Sequence, residues 1–151
     1  MFDSARVVRL YGLVVGAGLL LEGGLLLLLD LLRIAPGDSR HNALHVVWGL
    51  AIVGLLAIRP APRRTLLVVG IFGCFYSALA LAGVLVTNPL GLALGPGENV
   101  FHFTVGPLAL ALSAWAAIHL AASPSPSSES SAARVSSAAP GSTAGGPAAP
   151  R

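Results

Sequence analysis

The sequence predicts an all-α polytopic membrane protein, with four transmembrane helices forming a four-helix bundle as a tandem repeat of two helical hairpins. Three observations carry this. Hydrophobic residues make up 55% of the 151 residues and charged residues only 10%, against about 25% charged in an ordinary soluble domain. The apolar residues gather in four blocks, Leu10 to Leu29, Ala43 to Ile58, Thr65 to Val86 and Val100 to Ala122. An Asn-x-x-His-x-x-x-Gly pattern occurs twice, as Asn42, His45, Gly49 and 57 residues later as Asn99, His102, Gly106, each time opening an apolar run.

The elements follow in order. Residues 1–8 read as a short cytoplasmic segment ahead of a four-helix domain over 9–122. About 20 apolar residues at 1.5 Å rise cross the hydrocarbon core of a bilayer, so the first, third and fourth blocks span it comfortably. The first block exceeds the length of a signal-peptide apolar region and no small-x-small cleavage site follows it, so it is read as a retained helix. The second block is the short one, and needs Asn42 and Arg59 at the headgroups or a locally thinner bilayer. Gly12 and Gly16 give the first helix a small-xxx-small face for tight packing. Asn88, Pro89, Gly91, Gly95, Pro96 and Gly97 mark a loop, and Pro107 is expected to kink the fourth helix. Residues 123–151 consist almost entirely of Ser, Ala, Pro and Gly. Such a segment buries too little apolar surface to offset its ordering entropy and is expected to be a disordered tail.

All nine basic residues are arginine. With the N-terminus inside, Arg6, Arg9, Arg59, Arg63, Arg64, Arg134 and Arg151 fall on the cytoplasmic side and only Arg33 and Arg40 outside, which the positive-inside rule reads as both termini cytoplasmic in a plasma membrane. The net charge of +3 is therefore topological and gives no argument for nucleic-acid binding. Tyr11 and Trp115 fall where an interfacial aromatic belt belongs.

Applying the 57-residue offset upstream of the motif aligns Arg6 with Arg63 and Gly16 with Gly73. Both hairpins then enter the membrane in the same orientation, as a parallel repeat, and both His motifs lie at the outer face. Asn is among the best helix N-caps, so Asn42 and Asn99 are read as caps. His45 and His102 then take the third helical position, where a neutral imidazole can close a capping box. Gly49 and Gly106, one turn further, let neighbouring backbones approach.

The same residues admit a ligand reading. His41 and His45 are four apart, as are Glu98 and His102, so the four could converge on Zn²⁺ or another divalent ion. A haem between His45 and His102 is the other cofactor candidate. Capping explains most of these residues without a ligand, so no metal and no cofactor are expected. Glu22 lies within the first apolar block, where a carboxyl is expensive and by default a functional candidate facing the bundle interior. Its candidate partners are His45, His102, Tyr76 and Ser77. His119 falls in the last turn of the fourth helix, where it complements the dipole. Cys74, the single cysteine, reads as a small buried hydrophobe. No catalytic motif appears, so no catalytic residue is assigned.

The two Asn-x-x-His-x-x-x-Gly segments, each starting an even-numbered helix of four, resemble a bacterial membrane-protein family labelled domain of unknown function 4383, over about residues 7 to 120. The architecture is more distantly similar to DoxX-type proteins. The resemblance implies a four-helix bacterial membrane protein and leaves its activity open. The reading that follows is a non-enzymatic structural or accessory membrane protein. Its partners are the lipid bilayer and either another membrane protein or a second copy of the chain. The alternatives are small-molecule, proton or ion handling through Glu22 with His45 and His102, and a metal- or haem-binding redox component.

Overall fold

A computed structural model describes residues 3–58 and 61–122. These residues form four α-helices: α1 (Ser4–Leu31), α2 (Ser39–Ile58), α3 (Pro62–Leu85) and α4 (Pro96–Ala122), with a single 3₁₀ turn at Pro89–Gly91 between α3 and α4. All four are long and apolar enough to cross a membrane. Large aliphatic side chains such as Leu21, Leu31, Ile58, Leu85 and Ile118 point outward with most of their surface exposed. An outer surface of this kind belongs in hydrocarbon, and the chain is an integral membrane protein. The expected tail, 123–151, and Arg59 lie outside the described residues.

The core is a narrow column of Val8, Leu19, Ile52, Leu56, Val69, Phe72, Tyr76, Val105, Ala109 and Ala116. Glycines set how closely the helices run. A Cβ at Gly49 would lie 2.7 Å from the Gly16 carbonyl oxygen and 2.9 Å from the Leu20 nitrogen, so α2 lies directly on the α1 backbone. A Cβ at Gly106 would lie 2.6 Å from the Ser77 nitrogen, and one at Gly73 would lie 2.9 Å from the Gly106 carbonyl, so α4 lies on α3 in the same way. Without a hydrophobic driving force between helices in lipid, close backbone approach of this kind is what holds a pair together.

The helix starts correct the sequence reading. α1 begins at Ser4, with the Asp3 side chain accepting from the Arg6 N–H at 3.2 Å, and Val8 is fully buried. Residues 4–8 are therefore the first turn of a packed helix. α2 begins at Ser39, capped by Asp38, whose Oδ1 accepts from the backbone N–H of Arg40 at 3.0 Å and of His41 at 3.2 Å. Asn42 lies inside the helix, its own N–H bonded to the Asp38 carbonyl, and Asn99 lies inside α4 with its N–H bonded to the Gly95 carbonyl. Neither is an N-cap, and His45 and His102 stand almost two turns in, beyond the reach of a capping box. Hydropathy missed this because the first turns, Ser39 to Asn42 and Pro96 to Asn99, are polar while still helical. Pro96 and Gly97 likewise belong to α4, which continues unbroken through Pro107.

Other placements differ too. Tyr11 turns into the bundle and donates to the Val105 carbonyl at 2.6 Å, where a belt residue would point to the interface. Cys74 is exposed on α3, facing the surroundings of the bundle. The α1 terminus closes with Arg33 in the left-handed region (φ 57°). There the Arg33 N–H bonds to the Asp30 carbonyl and the Ile34 N–H to the Leu29 carbonyl, a Schellman turn that usually employs glycine.

Candidate metal centre

His41 and His45 lie one turn apart on α2, and α4 brings His102 against them. The ring centroids are 4.5 Å apart for His41 and His45, 5.4 Å for His41 and His102, and 6.2 Å for His45 and His102. One nitrogen from each of the three rings falls within 4.8 Å of the others. All three side chains are buried, His102 completely. The Tyr76 ring packs against His102 at 5.1 Å and the Phe101 ring against His45 at 6.0 Å, which closes the group on its inner side.

The electrostatics of the group are unusual. His41 Nε2 and both ring nitrogens of His45 and of His102 are buried without a hydrogen-bond partner, as is the Tyr76 hydroxyl. A buried polar group left unsatisfied costs about 1–3 kcal/mol, and most buried side-chain polar atoms in folded proteins find a partner. Five unpartnered imidazole nitrogens in one cluster therefore require an explanation.

The histidines line a cavity of about 200 Å³ together with Asn42 of α2, Glu22 and Leu26 of α1, and Gly97, Glu98 and Phe101 of α4. The structure thus brings His41, His45, Glu98 and His102 to one cavity, and adds Glu22 to it. Its volume is below the roughly 300–1,000 Å³ of pockets that enclose drug-sized ligands. Glu22 stands at the mouth, not enclosed by the bundle: its side chain is 55% exposed, and Oε2 lies 3.9 Å from His45 Nδ1. Gly23 explains the approach, since a Cβ there would lie 2.6 Å from the Cβ of His45 and 2.7 Å from the Asn42 carbonyl oxygen.

The remaining sequence candidates have structural places. Gly49 and Gly106 are helix contacts. Asn99 donates from Nδ2 to the Gly83 carbonyl at 3.2 Å, tying α4 to α3. His119 sits in the last turn of α4 with its ring 5.1 Å from Trp115, at the helix end remote from the histidine cluster. Ser77 and Tyr76, offered as partners of Glu22, lie on α3; the Ser77 hydroxyl is buried beside Gly106.

Asp38 was not singled out from the sequence. Besides capping α2, its Oδ2 accepts from the Ala93 N–H at 2.7 Å, which joins the α1–α2 loop to the α3–α4 loop above the histidines. Partial burial works to raise the Asp38 pKa, but the N–H donors of Ala93, His41 and Arg40, with the His41 ring nearby, hold it below the ordinary carboxylate value. The available signal was an Asp directly before Ser39-Arg40-His41, which suits an N-cap; its bond to Ala93, 55 residues away, left no local trace. Comparison of the chain with protein-family models, with curated proteins and with solved structures finds no match.

Proposed function

We propose that the protein binds one divalent transition-metal ion between its two hairpins, with His41, His45 and His102 as ligands, and that Zn²⁺ suits the site best. The observation that carries this is the convergence of three buried, unpartnered imidazoles within 4.8 Å. Neutral imidazole is a ligand for Zn²⁺ at about 2.0–2.1 Å, and tetrahedral coordination at that length separates neighbouring ligand atoms by about 3.4 Å. Small side-chain rotations close the difference. An ion occupies one nitrogen of each ring, three of the five that otherwise lack partners, and Glu98, which lines the same cavity, supplies a carboxylate as fourth ligand. This reading makes the protein a non-enzymatic membrane component whose bound ion is structural or cargo.

The test is elemental analysis of protein purified in mild detergent without added chelator. One ion per chain is expected in the wild type, and less than a tenth of that in His45→Gln or His102→Gln. A metal-free wild type that also takes up no Zn²⁺ on titration would sink the reading. The proximity of Glu22 to His45 favours a second reading, proton handling at the same groups, which a metal-free protein with an intact fold would bring forward.

The rest of the architecture is proposed on the same footing. The matching glycine contacts of the two hairpins support tandem copies of one unit. The paired motif supports membership of the domain of unknown function 4383 family, and the arginine distribution supports a bacterial plasma membrane with both termini cytoplasmic. In a Cys74→Ser background, Gly95→Cys should react with an impermeant thiol reagent in intact cells and Ala61→Cys should not; the opposite pattern would invert the topology.

A further inference from the structure

We infer that Glu22 is a positioning residue for the metal centre: its carboxylate accepts the Nδ1–H of His45 and so presents Nε2 of that ring to the ion. The inference rests on the metal reading above. Its starting point is geometric. Oε2 of Glu22 lies 3.9 Å from His45 Nδ1, and that nitrogen has no other partner. Metal-bound histidines almost always donate their second ring N–H to a carboxylate, a carbonyl or water, which fixes the tautomer and the ring orientation and raises ligand basicity. Rotation about the Glu22 side chain closes the gap to the roughly 2.7–2.9 Å of a charge-assisted bond.

Two further observations point the same way. The carboxylate of Glu22 approaches the Nδ1 side of the His45 ring, while nitrogens of the three histidines converge on one another, so the inference places it behind His45 and outside the ligand set. The close passage of α1 over His45 depends on Gly23, the neighbour of Glu22, so the helix is held where its carboxylate reaches the ring. A carboxyl in an apolar helix is expensive, and orienting a ligand gives it a use. The position 57 residues on is Leu79, buried on α3. The device is therefore confined to the first hairpin, and it distinguishes His45 from His102.

The test compares wild type, Glu22→Gln and Glu22→Leu, each purified metal-free. Zn²⁺ affinity is measured by competition with a chromogenic chelator, and ligand geometry by the visible bands of the Co²⁺-loaded proteins. Glu22→Leu should bind one ion about 10–100-fold more weakly, the usual effect of removing such a carboxylate. Glu22→Gln, whose amide oxygen still accepts the Nδ1–H, should lose less. The Co²⁺ bands should keep the wild-type intensity in both variants, because the ligand count is unchanged, and the metal-free melting temperatures should match. Unchanged Zn²⁺ affinity in Glu22→Leu would overturn the inference while leaving the site intact. Altered Co²⁺ band intensity would overturn it by making Glu22 a ligand. A wild type that binds neither ion would overturn the site itself and this inference with it.

Discussion

The two hairpins, α1 with α2 and α3 with α4, make the same backbone contact with different chemistry above it. Gly49 lies against the Leu20 nitrogen in the first, and Gly106 lies against the Ser77 nitrogen in the second; both partners of each pair are related by 57 residues. Above this shared contact the hairpins diverge. At corresponding positions the first carries Glu22, Gly23 and His41, and the second carries Leu79, Ala80 and Glu98. Ala80 is fully buried, whereas Gly23 leaves room for the close approach of the His45 turn. The lesson is that the glycine contacts set how each pair of helices packs, while the polar residues beyond them differ between the pairs. On the proposed metal reading, two unequal halves supply ligands of two kinds, imidazole and carboxylate, to one site.

The largest expected difference between the halves lies at Glu22 and Leu79. Leu79→Glu puts a carboxyl into a buried position within an apolar helix, and should cost about 2.5–3.5 kcal/mol. Glu22→Leu should leave the stability of the metal-free protein unchanged, because that side chain is half exposed. Reversible unfolding in mixed micelles measures both, and equal costs would show that the halves are not distinguished at this level.

Metal linkage comes next. At Zn²⁺ about 100-fold above its dissociation constant, binding to the folded state alone should add about 2.7 kcal/mol. A chelator should remove that gain from the wild type and have no effect on His45→Gln or His102→Gln. Since each hairpin contributes one of these two ligands, the variants should behave alike; a gain that survived in one of them would assign the ion to a single hairpin.

The glycine contacts provide the third comparison. Gly49→Ala and Gly106→Ala each force a Cβ to 2.6 Å from its nearest neighbour, and should each destabilise by about 1–3 kcal/mol, the range for overpacking. Gly18→Ala and Gly54→Ala meet nothing within 4 Å and should be neutral or slightly stabilising, because Ala is the better helix former by about 1 kcal/mol. Unequal effects at 49 and 106 would break the equivalence of the frames.

The smallest effect belongs to the loops that join the halves. Asp38→Ala removes the α2 cap and the link to Ala93, and should cost about 0.5–2 kcal/mol at neutral pH. Because the Asp38 carboxyl is held below the ordinary carboxylate value, its stabilising contribution is complete at neutral pH. That contribution fades only as pH falls below the ordinary range and the folded-state carboxyl takes up its proton. Wild type and Asp38→Ala should therefore converge in stability in strong acid; a constant gap down the acid limb would count against the assignment.

Much of this was legible in the chain. The four apolar blocks marked the spans because lipid imposes one requirement, about 20 apolar residues, and local composition reports it. The interval between the motifs, together with the His41–His45 and Glu98–His102 spacings, marked the four groups that now share a cavity. The helix starts were not legible. Ser39 to Asn42 is polar, and hydropathy marks contact with lipid, whereas His41 and Asn42 are buried against protein. That the histidines lack partners was also invisible, since it depends on where α1 and Tyr76 pass, and on a glycine at 23 that reads as one small residue among many.

One consequence of the glycine contacts concerns the order of assembly. The tightest backbone approaches, at Gly23, Gly49 and Gly106, lie within hairpins, so each hairpin can close as soon as its two helices are in the bilayer. The histidine cage belongs to neither alone, for α2 brings two rings and α4 the third. A membrane containing only the first hairpin holds a two-ring fragment with little hold on an ion. On the proposed metal reading, ion capture reports the docking of the second hairpin on the first, and the metal acts as a clasp on a late step of folding.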